Sequence, residues 1–157
     1  MGARKQAMPQ SLAKLYTHLV FSTKHRDRSL SDDIRNDLHA YMGGTLNGLG
    51  CISLEINSEP DHVHALFLLG RTITLSDAVG NLKKSANDWL CKRDPRFAQF
   101  NWQGGYDAFS VSQAGVEELR NYIRNQREHH QQVSFQDEVK AFLRRYEIEY
   151  DERYVWD

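Results

Sequence analysis

Hydrophobic and polar positions follow two different periods along this chain, and the switches between them mark its elements. Leu15-Tyr16-Thr17-His18-Leu19-Val20-Phe21-Ser22-Thr23 is rich in β-branched and aromatic residues and predicts a first strand. After the basic stretch Lys24-His25-Arg26-Asp27-Arg28, apolar residues return at helical spacing at Ile34, Leu38, Tyr41 and Met42. Ser31 stands at the N-cap of that helix, with Asp32 and Asp33 in the first turn, where the helix dipole favours anions. Gly43-Gly44 weakens the pattern and predicts its end. Two strand-like runs follow, Cys51 to Asn57 and His62 to Leu69, joined by Ser58-Glu59-Pro60-Asp61, a turn in which Pro60 presets φ. A second helix is expected from Ser76 to Lys92 on the stripe Val79, Leu82, Ala86, Trp89 and Leu90. Tyr106 to Ser112 reads as a fourth strand, Gly115 to His129 as a third helix and Gln136 to Tyr146 as a fourth.

The order strand, helix, hairpin, helix, strand, helix predicts an α+β fold. The expected form is a ferredoxin-like sandwich, with a mainly antiparallel sheet and helices packed on it. A doubly wound parallel sheet is disfavoured, because a hairpin sits where a crossover would be needed. One domain is expected over residues 15–157, closing with a C-terminal helix and tail, and residues 1–14 are expected to form a flexible N-terminus.

Composition narrows the function classes. The longest apolar run, Ala65 to Leu69, is too short to span a bilayer, and no apolar segment follows Arg4 and Lys5 as a secretory signal would require. Cys51 and Cys91 lack ligand-like spacing and suit a reducing compartment. No membrane partner and a cytoplasmic location are therefore expected. The net charge of −1 does not advertise a nucleic-acid binder, but its distribution is uneven. Residues 1–130 hold 16 Lys and Arg against 14 Asp and Glu, whereas residues 131–157 hold 4 against 7, so a mildly basic body precedes an acidic tail.

Three features carry candidate chemistry. In Asp61-His62-Val63-His64, strand geometry points both imidazoles to one face, which begins either a metal site or a pair of bonded core histidines. On the third helix Val116, Leu119, Tyr122, Ile123 and Gln126 share one stripe. A Tyr is ordinary there, but a buried Gln needs hydrogen-bond partners. Lys24, Arg26, Arg28, Lys83, Lys84, Arg120 and Arg124, with Trp102, Tyr106 and Phe109, offer cations for phosphates and rings for unpaired bases. The same residues also serve as solvated surface and core.

In combination, His62-Val63-His64 followed by Tyr122-Ile123-Arg124-Asn125-Gln126 resembles the single-tyrosine branch of the HUH (His-hydrophobic-His) nucleases. The match is to the small transposases of insertion sequences of the 200/605 type and their REP-associated tyrosine transposase relatives. Val20-Phe21-Ser22-Thr23-Lys24, the stretch from Trp102 to Ser112 and the stretch from Tyr150 to Trp156 resemble further parts of the family. The segment Asn81 to Asp88 resembles its basic helix but is less basic.

The resemblance implies a DNA transposase that cleaves and rejoins single-stranded DNA at hairpin-marked element ends through a 5′-phosphotyrosine intermediate. Tyr122 would be the nucleophile, with a metal held by His62, His64 and Gln126. By ligand preference two imidazoles and an amide suit Zn²⁺, Mn²⁺ or Co²⁺, whereas the resemblance implies Mg²⁺ or Mn²⁺. Asp61 is a hydrogen-bond partner behind the metal, a transient ligand or a turn cap. Lys24, Arg26, Lys83 and Lys84 are the expected DNA contacts. The resemblance further implies a homodimer with active sites shared between subunits, action in a bacterial or archaeal cell at the nucleoid, and no nucleotide cofactor. Two other readings compete. A histidine-triad hydrolase would need a third His where Leu66 stands, and a non-catalytic, domesticated hairpin-binding protein would have no use for the tyrosine.

Overall fold

The computed structural model describes residues 9–157; residues 1–8 of the expected flexible N-terminus lie outside the described residues. Strand β1 (Tyr16–Ser22) leads through a basic turn into helix α1 (Asp32–Gly48), followed by β2 (Ile52–Glu59), β3 (His62–Leu68) and helix α2 (Leu75–Arg93). Strand β4 (Asp107–Val111) precedes helices α3 (Val116–Arg124), α4 (Gln126–His129) and α5 (Phe135–Arg145). The four strands form one antiparallel sheet in the order β2-β3-β1-β4, the βαββαβ arrangement of the expected ferredoxin-like α+β sandwich.

Strand alternation divides the sheet into two unlike faces. Leu19 and Phe21 of β1 and Val63, Ala65 and Phe67 of β3 point to one face. There α1 contributes Ile34, Leu38, Met42 and Leu46 and α2 contributes Val79, Leu82, Ala86 and Leu90 to one continuous apolar core. His18, Val20 and Ser22 of β1 and His62, His64 and Leu66 of β3 point to the other face, which α3 to α5 cover. No helix among the described residues is long and apolar enough to cross a membrane.

Two local expectations are corrected, and a third, the N-cap at Ser31, holds in position. Helix α1 runs through Gly43-Gly44 to Gly48, because the stripe continues at buried Leu46 and holds the last turn to the core. A Cβ on Gly43 would lie 3.3 Å from Ser53 Oγ, so this glycine permits close approach of α1 to β2 rather than ending the helix. Ser31 occupies the N-cap of α1 but makes no cap bond to the backbone; its hydroxyl donates to the Asp33 carboxylate. The expected third helix breaks at Asn125 (φ −96°, ψ 23°). There Asn57 of β2 donates its side-chain amide to the carbonyls of Ile123 (2.7 Å) and Arg124 (3.3 Å), capping α3 from the sheet.

Ser134 caps the N-terminus of helix α5, its Oγ accepting from the Asp137 amide at 3.1 Å. It packs Phe135, Val139 and Leu143 against Val20 and Phe109, which fixes it over the face that carries the histidines.

Candidate active site

Antiparallel register sets Val20 opposite His64 and His18 opposite Leu66, so His18 and His64 are diagonal neighbours on one face. His18 Nε2 lies 2.8 Å from His64 Nδ1, with both rings buried. Pairing of Ser22 with His62 places the second imidazole one step further along the same face. Phe135 stacks on His62 with ring centroids 4.3 Å apart. His62 Nδ1 lies 2.7 Å from Asp61 Oδ1, so Asp61 takes the position of a hydrogen-bond partner behind the ring.

Above the strands, Tyr122, Gln126 and His130 follow at intervals of four residues and face the sheet across the break at Asn125. Gln126 is 1% exposed, and its Oε1 sits 2.8 Å from His130 Nε2 and 3.4 Å from His62 Nε2. The Tyr122 hydroxyl donates to Glu138 Oε2 and lies 3.2 Å from His129 Nε2. The other carboxylate oxygen, Glu138 Oε1, lies 2.8 Å from His64 Nε2, 3.3 Å from His130 Nε2 and 3.8 Å from His62 Nε2. Ligand-capable atoms of His62, His64, His130 and Glu138 therefore all fall within 4.8 Å of one another. Three imidazoles and a carboxylate converging on one point form a donor set that suits a divalent cation.

Burial dominates the electrostatics. It pushes His64 below its ordinary value against the opposing pull of Glu138, and pushes His18 well below, reinforced by His64. Burial also opposes ionisation of Glu138. The His64 imidazole and hydrogen bonds from His130, His64 and Tyr122 outweigh it and hold the carboxyl well below the usual range. For His130, burial is likewise overcome by the bond to Glu138, so its pKa rises. Tyr122 is pushed far above the ordinary phenol value by burial and then by the adjacent Glu138 carboxylate. At rest the tyrosine is a neutral phenol beside an anionic acceptor.

The residues singled out in the sequence divide into two groups. His62, His64, Tyr122 and Gln126 come together within a single chain, with Asp61 behind His62. The expected DNA contacts do not join them. Lys83 is half-buried, and its ammonium donates to the carbonyls of Gln103 (2.6 Å) and Gly105 (2.9 Å), which commits it to the loop before β4. Lys84 and Lys24 are exposed, and the Arg26 guanidinium lies over the Trp156 ring, 5.8 Å from its centroid. The turn holding Lys24 and Arg26 is strained, with φ of 59° at His25 and 55° at Arg26. The cations beside the histidines are instead Arg28 and Arg127, which line a cavity of about 370 Å³ together with Asp61, His62 and His130. Arg127 is held there by the Asp32 carboxylate at 2.6 and 3.1 Å.

Four residues escaped the sequence reading: His18, His129, His130 and Glu138. Two local signals pointed to them. His130 continues the four-residue spacing of Tyr122 and Gln126, and Glu138 interrupts the apolar stripe of Phe135, Val139 and Leu143. The role of His18 has no signal in the sequence, because it follows from strand pairing alone.

The family model described as "Transposase IS200 like" matches residues 11–126, and the chain belongs to that family. The match includes Tyr122 and Gln126 and ends before His130 and Glu138. No curated protein matches the chain. Solved structures share the fold, and two of them are transposases by description. A candidate transposase from Deinococcus radiodurans R1 aligns at TM-score 0.60 and 23% identity, covering 77% of this chain and 97% of its own. A REP-associated tyrosine transposase bound to a REP hairpin aligns at TM-score 0.57 and 13% identity, covering 82% of this chain and 76% of its own.

Proposed function

We propose that this transposase cleaves and rejoins single-stranded DNA at hairpin-marked element ends, with Tyr122 as nucleophile and a divalent metal at His62 and His64. The observation that carries the reading is the placement of the Tyr122 hydroxyl on Glu138, whose other oxygen meets His64. Nucleophile and metal-capable cluster thus share one carboxylate. The family membership supports the reaction class, and the hairpin-bound neighbour supports the form of the substrate.

In the reaction Tyr122 Oη attacks the scissile phosphorus, the bond to the 3′ oxygen breaks, and a 5′-phosphotyrosine and a free 3′-hydroxyl result. At an ordinary phenol pKa, ionisation at pH 7 costs about 4 kcal/mol, and burial of Tyr122 raises that cost. The phenol proton must therefore leave as the bond to phosphorus forms, and the Glu138 oxygen that already accepts from it is the acceptor in place. A bound divalent cation supplies charge stabilisation to the phosphate. Rejoining reverses the step when a 3′-hydroxyl attacks the phosphotyrosine. The bond energy is conserved, and no nucleotide cofactor enters the scheme.

All of these contacts lie within one chain. A homodimer with shared sites corresponds to exchange of α3 to α5 as a unit, since Glu138 on α5 must travel with Tyr122 to keep their bond.

The test is incubation with single-stranded DNA carrying the element's ends and Mg²⁺ or Mn²⁺, followed by denaturing electrophoresis beside Tyr122→Phe. A metal-dependent covalent adduct in the wild type and none in the variant is expected. Hairpin binding without any adduct would overturn the reading in favour of a domesticated, non-catalytic binder.

A further inference from the structure

The two strand histidines leave most of a coordination sphere to be filled, and their chain neighbours show how the site fills it. Each of three imidazoles is held through Nδ1 and turns Nε2 to a common point. His62 Nδ1 lies on the Asp61 carboxylate at 2.7 Å, His130 Nδ1 on the Val133 carbonyl at 2.7 Å and His64 Nδ1 on His18 at 2.8 Å. A carboxylate and a carbonyl only accept hydrogen bonds. Nδ1 of His62 and His130 must therefore carry the proton, so Nε2 is the nitrogen each ring can offer to a cation. Nε2 of His130 and His64 faces Glu138 Oε1, and a bound cation takes the place of the proton shared there. This is how ligating histidines are oriented in protein metal sites, with the far nitrogen donating to a fixed acceptor. The three Nε2 atoms meet at Glu138 Oε1, at 2.8, 3.3 and 3.8 Å, and no other carboxylate joins the buried cluster among the described residues.

We propose that His130 and Glu138 complete the metal centre with His62 and His64, giving three imidazoles and one carboxylate, and that Gln126 stays outside the ligand set. This rests on reading the site as metal-dependent. It moves the remaining ligands off the tyrosine helix and onto the segment that follows it. Gln126 is a neutral amide, whereas Glu138 is the anion a dication attracts. Through its second oxygen Glu138 also holds the Tyr122 hydroxyl, so one side chain sets the distance between metal and nucleophile. A nitrogen-rich set of this kind favours Mn²⁺, Co²⁺ or Zn²⁺ over Mg²⁺, which prefers oxygen ligands and keeps several waters.

The experiment is calorimetric titration of the DNA-free protein with Mn²⁺ and Zn²⁺, compared with Mg²⁺, in the wild type, His130→Ala, Glu138→Gln, Glu138→Asp and Gln126→Leu, with folding of each checked by circular dichroism. His130→Ala and Glu138→Gln should weaken Mn²⁺ binding by at least about 100-fold, beyond the roughly 10–100-fold typical of a partner behind a ligand. Glu138→Asp should recover part of the loss, and Gln126→Leu should stay within that lower range. If Gln126→Leu abolishes binding while His130→Ala and Glu138→Gln bind as the wild type does, the ligand set is His62, His64 and Gln126 and the proposal is overturned. Should the variants misfold, ¹⁵N spectra of the histidines in the Zn²⁺-loaded wild type decide it: three rings ligated through Nε2 support the centre, and two refute it. A protein that shows three ligated rings yet forms no DNA adduct keeps the metal centre and loses the nuclease reading, so the two failures are separable.

Discussion

The two faces of the sheet are built from the same strands and differ in what they bury. On the side of α1 and α2 the buried residues form one uninterrupted apolar cluster around Phe21, Val63 and Phe67. On the side of α3 to α5 the apolar residues fall into two smaller groups, one around Val20 and Phe109 and one around Leu66 and Ile123. Between these groups lie His18, His62, His64, Gln126 and Glu138, all buried. Residue alternation along β1 and β3 thus separates stability from chemistry across the thickness of one sheet. The first face supplies the burial that folds the chain. The second accepts a buried polar cluster, tolerable because its groups satisfy one another.

The sharpest way to break this comparison is to show that the faces do not specialise. Tyr122→Phe should lower adduct formation by at least about 10⁴-fold, the scale of losing a covalent nucleophile. It should change unfolding free energy by only about 1 kcal/mol, the worth of one hydrogen bond. Next in size, Phe67→Ala on the opposite face should cost about 3–5 kcal/mol, a large part of the roughly 5–15 kcal/mol available to a domain, while leaving the metal site's ligands untouched. Denaturant melts of both variants check the pair, and equal destabilisation by the two would contradict the division.

A smaller effect sharpens the role of the polar face. His18 touches no expected ligand site of its own but fixes His64 from behind. His18→Leu should weaken Mn²⁺ binding by roughly 10–100-fold with the fold retained; unchanged affinity would reduce His18 to packing.

The smallest expected effect concerns Asp107, which pairs with Val20 on the site face and whose pKa burial raises to about 6. Below about pH 3 this carboxyl is protonated in both folded and unfolded chains and costs nothing. As pH rises towards 6 the unfolded chain ionises first, so stability falls, and the cost persists above the folded pKa. Asp107→Asn should therefore exceed the wild type in stability by about 1–2 kcal/mol at pH 7 to 8, allowing for solvent screening of a half-buried group, and match it near pH 3. A difference independent of pH would rule out ionisation as its source.

Much of the fold was legible because its signals are local. The strand at His62 to Leu68, the stripe of α2 and the spacing of Tyr122 and Gln126 each depend on residues within a few positions of one another. Where local signals failed, a distant partner intervened. Gly43 reads as a helix end until Ser53 is seen packing on it, and the third helix reads as continuous until Asn57 takes its carbonyls. Lys83 reads as a free cation until the carbonyls of the loop before β4 claim its ammonium.

The sequence by itself determined the βαββαβ order, the shared direction of His62 and His64, and the helical pairing of Tyr122 with Gln126, because strand and helix periods convert spacing into direction without help from the rest of the chain. Only the tertiary structure decided what meets those residues. Strand pairing set His18 behind His64 across 46 positions, and the packing of α5 on Val20 and Phe109 carried Glu138 to His64 across 74. Contacts of that separation are fixed by how elements dock, and no local period records them.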